Sequence, residues 1–150
     1  SNYSVKKNKI NQIIKYEKKF KLEQKNTYIK FFEKILSIKK NLNSRLKEIK
    51  ENGKTIHGYG ASTKGNVLLQ FFEIDKNMLN LIADRNPLKF NYYTPGTKII
   101  IKSEKYSRSL KPDFYLVLPW HFKKEILKRE KKVRSMGTKF IFPLPNIEVR

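Results

Sequence analysis

Thr55-Ile56-His57-Gly58-Tyr59-Gly60-Ala61-Ser62-Thr63-Lys64-Gly65-Asn66 is the stretch on which the fold turns. Thr55–Tyr59 is short, β-branched and aromatic, and predicts a strand. The apolar pattern of Gly65–Phe72 predicts a helix. The segment between them is a tight strand-to-helix turn. In a parallel sheet such a turn lies on the carboxyl edge, where ligands collect. Its glycines let backbone approach an anion, and the helix start offers free N–H groups. Ser62, Thr63 and Asn66 add polar side chains, and Lys64 adds a cation. Gly58, Gly60 and Gly65 are spaced G-x-G-x-x-x-x-G, which is not the dinucleotide fingerprint. Asn66 stands where a Walker loop needs lysine. Two readings stay open: a turn capped by Ser62 or Thr63, or a loop that touches a polar ligand.

Working outward, the same texture repeats. Leu79–Ala83, Lys98–Ile101, Phe114–Leu118 and Lys139–Phe142 predict four more strands, and His121–Met136 predicts a long helix. Strands alternating with helices imply a parallel sheet covered on both faces. The expected fold is α/β: a Rossmann-like three-layer domain with a mainly parallel five-stranded sheet, preceded by an N-terminal helical arm. Residues 1–52 read as helix. Tyr28, Phe32, Ile35, Leu42, Leu46 and Ile49 form one apolar stripe that Lys39 interrupts, and Asn52-Gly53 signals the stop. Residues 1–26 are expected to be a basic linker or helical extension, and residues 27–150 the domain itself.

Three further segments fall at predicted strand ends. Asp84-Arg85-Asn86-Pro87-Leu88-Lys89 follows the second strand. An acid there accepts ribose hydroxyls in many dinucleotide sites, yet Asp-x-Asn-Pro is also a turn former. Arg85 and Lys89 are the cations that would face phosphate. Tyr92-Tyr93-Thr94-Pro95-Gly96-Thr97 is a turn with two tyrosines able to stack on a base or sugar. Leu118-Pro119-Trp120-His121 closes the fourth strand, and His121 is a weak catalytic candidate. His57, inside the first strand, reads as a packing residue.

Composition removes several classes. The 150 residues contain no cysteine, which excludes disulfides and thiolate chemistry, and His57 and His121 are too far apart in sequence to suggest a metal site. No apolar run is long enough to span a membrane, and the first thirty residues lack a secretory h-region. The net charge is +21, split as +10 over residues 1–52 and +11 over residues 53–150. Charge spread in this way reads as a lysine-rich solvated surface more than a nucleic-acid footprint.

Taken together, Tyr59–Asn66, Asp84–Lys89, Tyr93–Thr97 and Val117–Phe122 resemble the C-terminal domain of S-adenosylmethionine-dependent sugar C-methyltransferases. The resemblance runs from about Phe31 to Pro145. It implies a three-part enzyme: a zinc-binding module, a central class I domain that binds S-adenosylmethionine, and a C-terminal domain that helps hold a nucleotide-linked keto-deoxysugar. This chain matches only the last part, so the cofactor is expected on an upstream domain and none on this chain, with no activity from it alone. The resemblance places Tyr59, Ser62, Thr63, Lys64, Asn66, Asp84, Arg85, Asn86, Lys89, Tyr93, Thr94, Trp120 and His121 around the substrate. It makes the chain either a fragment of a longer protein, with its upstream domains in the same polypeptide, or a stand-alone relic; a cytoplasmic location is expected. A basic nucleic-acid-binding module and a nicotinamide-type oxidoreductase domain are the alternatives.

Overall fold

The structure, a computed structural model, describes residues 7–150. The part of the expected extension at residues 1–6 lies outside them. Two compact units divide at Ser37/Ile38. From Lys7 to Ser37 the first unit consists of α1 (Lys7–Lys19), a turn, and the first half of α2 (Lys25–Glu51). No residue of α1 is buried. In the second half of α2 the stripe turns inward, with Ile38, Leu42 and Leu46 buried, whereas Tyr28 and Phe32 of the same stripe are exposed. Lys39 leaves the apolar stripe to pair with Glu73, 2.7 Å away. Gly53 ends the helix at φ +69°, a left-handed position open to glycine without strain.

The second unit is a six-stranded sheet in the order β3-β2-β1-β4-β5-β6. The strands are β1 (Ile56–Tyr59), β2 (Ile82–Asp84), β3 (Ile101–Ser103), β4 (Phe114–Val117), β5 (Lys139–Phe142) and β6 (Glu148–Val149). Four neighbouring pairs run parallel, and β6 runs antiparallel to β5. The expected count of five is therefore corrected to six. The extra strand has only two residues, too few to show an alternating pattern in sequence. Successive strands step outward from β1 to β3, and then the chain returns to place β4 on the other flank of β1. This reversal opens a crevice at the carboxyl ends of β1 and β4.

Alternation along the strands sorts side chains to the two faces. His57 and Tyr59 of β1, Tyr115 and Val117 of β4, and Phe140 and Phe142 of β5 share one face. There Tyr59, Tyr115, Val117, Phe140 and Phe142 form a buried cluster with Ala83 of β2 and Ile126 of α5 (Lys123–Arg129). The Tyr59 and Tyr115 rings meet edge to face at 5.3 Å. α4 (Glu104–Ser109) covers the same face through Ser107, whose hydroxyl lies 2.8 Å from both His57 Nδ1 and Tyr115 Oη. α3 (Thr63–Phe72) packs on the opposite face, so closely that a Cβ on Gly65 would lie 2.7 Å from Leu118 Cβ. The long helix expected at His121–Met136 is broken into a 3-10 turn (Trp120–Phe122), α5 and α6 (Lys131–Ser135). The break falls at Glu130, whose side chain is drawn into the interior by Tyr59 and Arg108.

Candidate functional site

The crevice at the strand ends holds a cavity of about 490 Å³. Its floor is the turn after β1, Tyr59-Gly60-Ala61-Ser62. Asp84, Arg85 and Lys89 line it from the β2 side, and Glu104 from the start of α4. Pro119, Phe122, Glu125, Ile126 and Arg129 line it from the segment after β4. The volume lies in the range of pockets that take ligands of nucleotide size.

The turn is built by its own residues. Ser62 caps α3, its Oγ accepting from Gly65 N at 3.0 Å. Gly60 sits at φ +81°, and a Cβ there would lie 2.8 Å from the Pro119 ring. Its freedom therefore lets the β1 and β4 turns pack together. Asp84 ties the β2 end to this turn: Oδ2 accepts from Ala61 N at 2.7 Å and Oδ1 from Asn86 N at 2.8 Å. Lys89 donates to the Ala61 carbonyl at 2.7 Å and pairs with Asp84 at 3.6 Å. Each Asp84 oxygen thus accepts one backbone N–H of the surrounding turns, which fixes the carboxylate at the edge of the cavity.

The α5 side carries a charged cluster. Glu130 is almost wholly buried, and its Oε1 accepts from Tyr59 Oη and from Arg108 Nη2, each at 2.7 Å. Arg129 donates through Nη2 to Tyr59 Oη and to Glu104 Oε1, the latter at 2.9 Å, and its guanidinium lies 5.5 Å from the Tyr59 ring centre. Burial alone would raise the Glu130 carboxyl, but the hydrogen bonds from Arg108 and Tyr59 outweigh it and hold the group below its ordinary value. Burial likewise raises the Tyr59 phenol, so it stays protonated and serves as a donor. His57 is buried too, and burial lowers it to about 4. It is neutral at pH 7 and acts as a packing residue bonded to Ser107.

Five of the residues singled out in the sequence line the cavity: Tyr59, Ser62, Asp84, Arg85 and Lys89. The others do not. Thr63 and Lys64 are exposed in the first turn of α3, and Asn66 is half-buried beyond them. Asn86 caps a 3-10 turn at Pro87–Lys89. Thr94 is buried and bonded to Thr97 and to Ile99 N within its own loop. Tyr93 is exposed and bridges to Ile100. Trp120 packs on the aromatic cluster, and exposed His121 lies against Phe122, with ring centres 4.3 Å apart. Missed were Glu104, Phe122, Glu125, Ile126 and Arg129. The last four follow a helical i, i+3, i+4, i+7 spacing, so one face carries both charge and apolar surface. That signal was present but submerged in a lysine-rich helix.

The profile of the C-methyltransferase C-terminal domain family matches residues 2–145. The chain belongs to that family. Within known proteins, the chain is 37% identical over 98 residues to the C-methyltransferase NovU of Streptomyces niveus. The matched segment is 65% of this chain and 23% of that protein. The chain thus corresponds to less than a quarter of its relative's length. Among the described residues no helix is long and apolar enough to cross a membrane, and no group of three or more His, Cys, Asp or Glu is placed to hold a metal ion.

Proposed function

We propose that this chain is the nucleotide-sugar-binding, C-terminal part of a class I S-adenosylmethionine-dependent C-methyltransferase that acts on a keto-deoxysugar. The observation that carries the reading is the cavity at the β1/β4 reversal, the place where open α/β sheets take ligands. Within it Arg85 has no hydrogen-bond or ion-pair partner among the described residues, whereas Lys89 and Arg129 do. Arg85 is the cation left to meet a diphosphate. Family membership supports the class of chemistry, transfer of a methyl group to carbon; on a keto-sugar, in this reading, the accepting carbon loses a proton beside the ketone.

This chain's own residues bind and orient. The carboxylates at the cavity are held by internal partners, apart from Glu125, and His121 does not line it. Proton removal and the methyl donor belong, in this reading, to a central domain upstream in the same polypeptide, with a zinc-binding module before it, and the enzyme works in the cytoplasm.

Isothermal titration of the chain with dTDP-glucose and UDP-glucose tests the reading. Expected is 1:1 binding to at least one of them, weakened about tenfold in Arg85→Ala, the change typical of losing one charge-assisted hydrogen bond. Binding of oligonucleotides that vanishes with salt, with no response to either sugar nucleotide, would favour a nucleic-acid module instead.

A further inference from the structure

Three cations and three carboxylates line the cavity: Arg85, Lys89 and Arg129, and Asp84, Glu104 and Glu125. Four of the six neutralise one another. Lys89 pairs with Asp84 at 3.6 Å, and Arg129 pairs with Glu104 at 2.9 Å. Arg85 and Glu125 remain, neither side chain with a hydrogen bond or ion pair among the described residues. They enter from opposite flanks of β1: Arg85 follows β2, and Glu125 belongs to α5, which follows β4. The cavity is therefore neutral in total and polarised across its width.

We infer that this polarity sets the direction of the ligand, with the diphosphate toward Arg85 and the glycosyl group toward Glu125 and Arg129. The inference rests on the nucleotide-sugar reading of the site. A diphosphate beside Glu125 meets an uncompensated like charge, whereas a sugar's hydroxyls donate to that carboxylate. Arg129 suits the same end. Its Nη2 and Nε are held by Tyr59, Glu104 and Glu130, so the guanidinium is fixed in orientation and its net field is cancelled. Its Nη1 group has no partner among the described residues and can donate to a neutral sugar oxygen. Phe122 and Ile126 line the cavity from the same segment and give the C–H face of a deoxygenated ring an apolar wall. Glu125 is in this view a specificity residue: it distinguishes a glycosylated diphosphate from a bare one.

The test is a calorimetric comparison of dTDP with dTDP-glucose, and of UDP with UDP-glucose, on the wild-type chain, Arg85→Ala and Glu125→Ala. Glu125 is exposed and without internal partners, so the variant folds as the wild type does, which a thermal melt checks. Expected is an approximately tenfold loss for the diphosphate and the sugar nucleotide alike in Arg85→Ala. In Glu125→Ala the sugar nucleotide alone loses about tenfold, and the bare diphosphate stays within twofold. Arg129→Lys, which keeps charge but loses the planar donor edge, is expected to follow Glu125→Ala. If Glu125→Ala weakens both ligands equally or neither, the direction is overturned while the reading of the site stands. If the wild-type chain binds none of the four, the reading of the site fails and the direction with it.

Discussion

Glu130 brings a full negative charge into the interior and is matched there by Arg108, Arg129 and the Tyr59 hydroxyl. Removing the Glu130 charge leaves Arg108 and Arg129 to share the single carboxylate of Glu104, at a cost of about 3 kcal/mol. Glu130→Gln is therefore expected to lower stability by about 3 kcal/mol, read from the midpoint of urea unfolding at an unchanged slope. His57 gives a separate signature. The unfolded imidazole takes a proton near 6.5 and the buried one only near 4, so its contribution is complete above pH 6.5 and is lost as pH falls. Between pH 6.5 and 5 the loss is expected to be roughly 2 kcal/mol. Glu130 and Asp113, held below 4.5 and 3.8, act lower in pH. Unfolding midpoints measured across that window are expected to slope in the wild type and to run flat in His57→Gln. The packing role of His57 was legible because a strand interior leaves a histidine few other uses. Glu130 was not legible, because nothing in a run of lysines and carboxylates marks which member turns inward.

At the level of elements, the legible parts were those with a strong local pattern. Lys139–Phe142 forms the strand read from sequence, and the strand–turn–helix at residues 55–72 stands with its ends moved by a residue or two. α4 was missed because six residues directly after a strand are too few to show a helical period. The second strand begins at Ile82, three residues later than its apolar run suggests, because Leu79 and Leu81 are buried in the approach to the sheet. The α3–sheet contact is open to a direct test. A methyl group on Gly65 meets Leu118 at 2.7 Å, against side chains that are themselves buried. Gly65→Ala is expected to cost about 1–3 kcal/mol by overpacking, despite the better helix propensity of alanine. A thermal melt several degrees below wild type is the expected result, and an unchanged or raised melting point would show that α3 shifts without cost.

At the scale of the whole molecule, α1 buries none of its residues, and the sheet unit begins at Ile38. Removal of residues 1–24 is expected to leave the unfolding midpoint of the remainder within about 0.5 kcal/mol of wild type, the range of changes at exposed positions. What sequence could not give at this scale was which strand ends meet. Asp84 and Tyr59 converge because β2 flanks β1, and Arg129 joins them because β4 returns to the other flank. Lys64, Tyr93 and His121 sit near strand ends in sequence but do not line the same hollow. The measurement that bears most directly on the site is a nitrogen-15 NMR titration of the chain with dTDP-glucose or UDP-glucose. Amide shifts are expected to concentrate at Gly60, Ala61, Ser62, Arg85, Glu125 and Arg129, and to persist at 0.3 M salt. Shifts clustered instead around Lys111, Asp113 and Thr138, which line a separate cavity, or spread over surface lysines and erased by salt, would contradict a nucleotide-sugar seat at the β1/β4 crevice.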